Sequence, residues 1–284
     1  MNGYIDMDKH EFIDMLNHDL KEKHAAIIRY LVHSYLEGED SPIGASLLSR
    51  SREEMWHMHW LGLIIGKMGG EPDMKPAPYP FDPTNRTTIF KSYVEYEKNL
   101  IPHYNQEAEK ADDPHIKRVL QREAWESSMH ADKFQRMLDK LTPAQANGLP
   151  GEENELPDDF MENLQTIVQN KYTEMLQQVR NAWVLHKDGR MAWQIMDFSM
   201  TKMKQLAHIA EEVAENGVEP RLDVGKIDLS HAVGAALNGA LEDVQQSRKR
   251  LQELRNSQEA QKHSGLLLNL DLSIKQEEYE AAEY

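Results

Sequence analysis

Residues three apart on a helix share a face. The stretch Glu53-Glu54-Met55-Trp56-His57-Met58-His59-Trp60 therefore sets a carboxylate and an imidazole, Glu54 and His57, where both can reach one metal ion. At 100° per residue, Leu47, Met58, Leu61 and Ile65 all fall within about 40° of Glu54, which puts this carboxylate in the middle of an apolar stripe. A carboxylate buried there calls for a cation, a proton or a strong set of hydrogen bonds. Glu97 holds the central place on a later stripe, between Tyr93 and Ile101, and His130 lies about 60° from the centre of another. Glu123, one turn ahead of Ser127, is a further inward carboxylate. The chain has no cysteine, so thiolate sites and disulfides are excluded. Glu54, His57, Glu97, His130 and Glu123 are the candidate ligands.

The elements that must position them read as almost entirely helical, since apolar residues recur at three- and four-residue spacing through most of the chain. The first helix is expected from about Asp8 to Leu36, with Ile13, Leu16, Leu20, Lys23, Ile27, Tyr30 and Ser34 on one face. After Gly38-Glu39-Asp40, Ser41 is a helix cap with Pro42 in the first helical position. The second helix then runs to Gly69-Gly70. The proline-rich stretch 71–86 is an extended crossover. The third helix carries Phe90 to Ala108, with Pro102 expected to kink it or force a bulge. The fourth follows Asp112-Asp113-Pro114 and carries Ile116 to Leu138.

Residues 142–159, with proline, glycine and acidic residues, are expected to be a linker between a domain at 1–141 and one at 160–284. Beyond it, helices are expected at Phe160–His186, Met191–Asn216, Ser230–Arg255 and Gly265–Glu283. The closing motifs Gly69-Gly70-Glu71-Pro72 and Gly217-Val218-Glu219-Pro220 echo each other and suggest duplication. In the second half Lys202 and Gln205 stand where Glu54 and His57 stand in the first, so that half lacks the ligand motifs. Glu174, His186, His208 and Glu212 are its only weak candidates, and the acidic tail 276–284 reads as a solvated helix face.

A formal net charge of −16 and a pI near 5.3 argue against nucleic acid or an anionic membrane surface as partner. No apolar run approaches the roughly 20 residues needed to span a bilayer. The amino-terminal residues show no basic and apolar leader pattern, and the expected location is the cytoplasm. His24, His33, His59 and His103 are expected at the surface or behind the site. Tyr30, Trp56, Tyr104 and Trp125 are expected in the core.

The first half, about Phe12 to Leu138, resembles the ferritin-like superfamily, in particular bacterioferritin- and rubrerythrin-like four-helix bundles that hold two metal ions. In that pattern two helices each give a Glu and two give Glu-x-x-His. Glu54 and His57 match the second helix, and Glu97 with Tyr104 match the third. The first helix reads Lys23-His24-Ala25-Ala26-Ile27-Ile28-Arg29-Tyr30, with Lys23 in the carboxylate position. The fourth reads Ser127-Ser128-Met129-His130, with Ser127 in place of Glu. The resemblance implies an all-α protein, a ferritin-like bundle followed by a degenerate second one, binding iron or manganese. With two of four carboxylates gone, the retained charges suit one ion or none. Glu22, Glu123 or Glu126 would have to complete a pair, or Lys23 would pair with Glu54 or Glu97 in place of an ion. Redox chemistry towards oxygen or peroxide is one expectation, with a homodimer as a possible assembly. A non-catalytic bundle that binds a partner is the other.

Overall fold

Each expected helix forms, and side-chain caps mark where several of them start. In the computed structural model, which describes residues 8–38, 40–147 and 156–284, the order is α1 (Lys9–Glu37), α2 (Pro42–Lys67), α3 (Arg86–Lys110), α4 (Pro114–Lys140), α5 (Pro143–Asn147), α6 (Asp158–Val184), α7 (Gly189–Glu215), α8 (Val233–Arg255) and α9 (Ser264–Glu283). A 3-10 turn, Ala260–Lys262, precedes α9, and no strand occurs among the described residues. Ser41 caps α2 as expected, its hydroxyl accepting from Gly44 N at 2.8 Å. Asn85 and Thr88 cap α3 reciprocally, side chain to backbone in both directions. Asp113 caps α4 ahead of Pro114. Helix α3 continues through Pro102 without the expected interruption. Pro102 lies on the exposed side, where the carbonyl it leaves unbonded can meet water. The stretch expected to be a plain linker holds the short helix α5, whose carbonyls at Gln145 and Ala146 accept from Arg86 and Thr87. Residues 148–155 lie outside the described residues.

The chain divides into two units, Met1–Tyr30 with Ser49–Pro150 and Leu31–Leu48 with Gly151–Tyr284. In the first, α3 packs along α4, and α1 and α2 send side chains into the same interior. An aromatic cluster of Tyr30, Tyr93 and Phe134 fills one level of that core, with ring centroids 5.1–5.2 Å apart. Trp125, expected in the core, is instead 60% exposed, because it lies on the outer face of α4. His24, His33 and His59 are buried rather than superficial. In the second unit α6 packs on α7 and α8, and α9 on α7 and α8.

Both long connections leave their helices in the same way. Gly69 and Gly217 take φ of 80° and 73°, the left-handed region that favours glycine. Each donates to a carbonyl three residues back, and the next residue donates to the carbonyl five back (Gly70 to Ile65 and Val218 to Val213). The connections are then clamped alike. Asn17 donates to Glu71 O and accepts from Asp73 N; Gln165 donates to Glu219 O and accepts from Arg221 N. In both cases the partners lie 54 and 56 residues downstream. The first connection carries a further anchor, His24 Nδ1 at 2.6 Å from Met74 O.

Candidate metal centre

Four helices contribute to one buried cluster in the first unit. Glu54 from α2 lies at its centre and is fully buried, as is Glu97 from α3. His130 Nδ1 from α4 stands 3.0 Å from Glu54 Oε1 and 3.2 Å from Glu97 Oε1. One donor atom from each of these three residues falls within 4.8 Å of the others, a spacing that a single cation can bridge. Around them, Tyr30 donates to Glu97 Oε1 at 2.7 Å, and Tyr79 of the crossover meets the Tyr30 hydroxyl at 3.0 Å. Glu53 faces His130 Nε2 at 2.7 Å.

The other two expected ligands behave differently. His57 Nδ1 is 3.1 Å from Glu54 Oε2, but its Nε2 turns outward to Glu126, which Arg122 also holds at 2.8 Å. His57 thus stands outside the three-residue set, bracing Glu54 from one side. Glu123 is fully buried, yet neither of its oxygens has a hydrogen-bond partner among the described residues. Burial, outweighing the attraction of Lys23 and His57, pushes its carboxyl up to about 7. Glu22 faces away, accepting from the Tyr96 hydroxyl at 2.6 Å.

Lys23 enters the same cluster from α1. Its Nζ lies 3.0 Å from Glu54 Oε2, with both side chains 1% exposed, and 4.7 Å from the centre of the Tyr104 ring. The contact is a buried charge pair. Burial would lower the Lys23 pKa, but Glu54, Glu123 and Glu97 raise it instead, so the amine stays charged. Burial likewise disfavours Glu54 as an anion, and Lys23 and His57 overcome it, holding its carboxyl well below the usual range. The same contest ends with His57 raised, chiefly by Glu54, and His130 raised well above its ordinary value, chiefly by Glu97. Glu126 is held at about 2 against partial burial by His57 and Arg122.

The donor set fits one ion and not two. Two carboxylates and an imidazole suit a divalent cation that accepts oxygen and nitrogen ligands, and Glu97 Oε2 is buried without a hydrogen-bond partner. A second ion beside Glu54 would meet the Lys23 ammonium at close range, where like charges repel strongly.

Three acidic groups were not foreseen. Asp19 and Glu107, both buried, meet His103 on the α1–α3 face. Glu53 could have been read from its place beside Glu54, and Asp19 from its position one turn before Lys23.

The second unit holds a buried charge network of its own. Lys171 Nζ donates to Glu277 Oε1 at 2.6 Å, and Lys202 reaches Glu277, Glu280 and Glu174 at 3.1, 3.2 and 3.4 Å. Ser247 adds a hydrogen bond to Glu277 at 3.1 Å. Glu277 and Glu280 are buried, which corrects the reading of 276–284 as a solvated face. Burial would raise the Glu277 carboxyl, but Lys171 and Lys202 hold it at about 2. The signal was present in Glu277-x-x-Glu280, spaced as Ser127-x-x-His130. Of the weaker candidates only Glu174 joins this network; His186 Nδ1 instead meets the Trp183 carbonyl.

No helix among the described residues is long and apolar enough to cross a membrane. Comparison with protein-family models, characterised proteins and solved structures found no match, so the chain's own geometry carries the functional reading.

Proposed function

We propose that the first unit is a ferritin-like metal-binding bundle that holds a single iron or manganese ion between Glu54, Glu97 and His130. The observation that carries this reading is Lys23 Nζ, 3.0 Å from Glu54, standing where a second cation would need a carboxylate. Glu54 and Glu97 supply negative charge, and Tyr30 fixes the orientation of Glu97. Glu53, facing His130 Nε2, keeps a proton on that nitrogen and so directs Nδ1 towards the two carboxylates. A bound iron or manganese ion would supply one-electron exchange with oxygen or peroxide. The repeated glycine caps and Asn17/Gln165 clamps support a tandem origin, with a second ferritin-like bundle whose site became an ion-free charge network.

That network also favours the rival reading. Lys171 and Lys202, paired with Glu277, supply positive charge to such an interior from side chains. On this reading the whole chain is a non-catalytic bundle that acts through its surface.

Metal analysis separates the two. After dialysis against ferrous or manganous ion, Glu97→Gln should hold one equivalent less than the wild type. Equal content in both would reject the central site, and a loss of two equivalents would mean a dinuclear centre.

A further inference from the structure

The first unit contains a second convergence of donors, on the face where α1 meets α3. His103 Nε2 lies 2.8 Å from Asp19 Oδ1 and 3.2 Å from Glu107 Oε1. One donor atom from each of the three residues falls within 4.8 Å of the others. His103 and Glu107 are four apart on α3, so they share a face, and Asp19 reaches in from α1.

The burial of this group needs explaining. Asp19 is fully buried and Glu107 is 4% exposed, and apart from each other Asp19 Oδ2 and Glu107 Oε2 meet neither solvent nor a hydrogen-bond partner among the described residues. Two carboxylates at that depth require either a proton between them or a cation. A proton would satisfy the carboxyl pair alone. An imidazole nitrogen also converges on both of them and gives the group a third donor. Two carboxylates with one neutral imidazole match the charge and ligand preference of a divalent transition ion, with water completing its shell. The His103 side chain is 35% exposed, so an ion can reach the group from solvent, a path that a fully enclosed pair would lack.

We propose that Asp19, His103 and Glu107 form a divalent transition-metal site, distinct from the Glu54–Glu97–His130 centre and filled independently of it.

Cobalt(II) is the probe, because its visible bands report nitrogen and oxygen ligation directly. The full-length wild type, Asp19→Asn/Glu107→Gln, His103→Ala and Glu97→Gln would be titrated with cobalt(II) by equilibrium dialysis and visible absorbance. The amide pair copies the shape of protonated carboxyls, and His103→Ala removes a half-exposed ring, so together they guard against a mere folding defect. The expected result is one equivalent lost, with its bands, in both Asp19→Asn/Glu107→Gln and His103→Ala, and this equivalent retained in Glu97→Gln. Isotherms and spectra unchanged from wild type in His103→Ala or in the amide pair would overturn the site and leave a shared proton as the explanation. If Glu97→Gln loses no ion while His103→Ala does, the central site fails and this one stands.

Discussion

Replacing Lys23 tests the central argument, because its ammonium is what makes the buried carboxylates tolerable without metal. At 3.0 Å and an effective dielectric of about 20, the Lys23–Glu54 attraction is about 5–6 kcal/mol. Part of this offsets the desolvation of the two ions, and removing one partner of such a pair typically costs about 3–5 kcal/mol. Glu54 keeps contacts to His57 and His130 at 3.1 and 3.0 Å, so the low end applies. We expect Lys23→Met, which keeps the chain length and removes the charge, to destabilise the first unit by about 3 kcal/mol. With a urea slope of about 2 kcal/mol per molar, the midpoint falls by roughly 1.5 M. Fluorescence would be read in a Trp183→Phe/Trp193→Phe background, which leaves Trp56, Trp60 and Trp125 of the first unit as reporters. Manganous ion at about 100 times its dissociation constant should restore roughly 2.7 kcal/mol. A Lys23→Met midpoint within about 0.3 M of the parent would show that the ammonium neutralises nothing, and the single-ion argument would fall with it.

Two other outcomes can be checked. Aerobic oxidation of ferrous ion, followed by absorbance, should proceed at the same slow rate in the wild type and Glu54→Ala; a fast phase confined to the wild type would show a working paired-ion oxidase. Burial, only partly offset by the Met74 carbonyl, lowers His24 to about 4, so the unfolded chain takes up a proton below its ordinary 6.5 that the folded chain refuses. Stability from this group is therefore complete above about pH 6.5 and falls as the pH drops towards 4. Between pH 7 and pH 5 the loss should be about 2 kcal/mol. The urea midpoint of His24→Asn should change less over that interval, and parallel curves would contradict the assignment.

Much of the helical order was legible because it rests on local rules. The three- and four-residue periodicity, the caps at Ser41 and Asp113, and Gly69 with its echo at Gly217 all depend on near neighbours. Glu54 and Glu97 were legible too, since an acid in the middle of an apolar stripe is conspicuous. What escaped depended on which partner a side chain finds across the interior. His57 divides its two nitrogens between Glu54 and Glu126, a choice that spacing along α2 does not contain. Asp19 and Glu107 sit 88 residues apart on different helices and meet each other and His103 only across the interior. Trp125 was misplaced because its aromatic character was weighed above its angular position on α4.

The charge network of the second unit bears on how this chain can change over generations. Lys202 stands at the centre of three glutamates, with Lys171 as the other cation touching Glu277. Changing Lys202 to an acid in one step would leave four carboxylates facing a single ammonium. Building a ligand set there would require the lysines to be exchanged while Glu277 and Glu280 find new partners. On the proposed ferritin-like reading, the first unit lies two exchanges, at Lys23 and Ser127, from a full set of carboxylates. The second is held away from that set by the interactions that stabilise it.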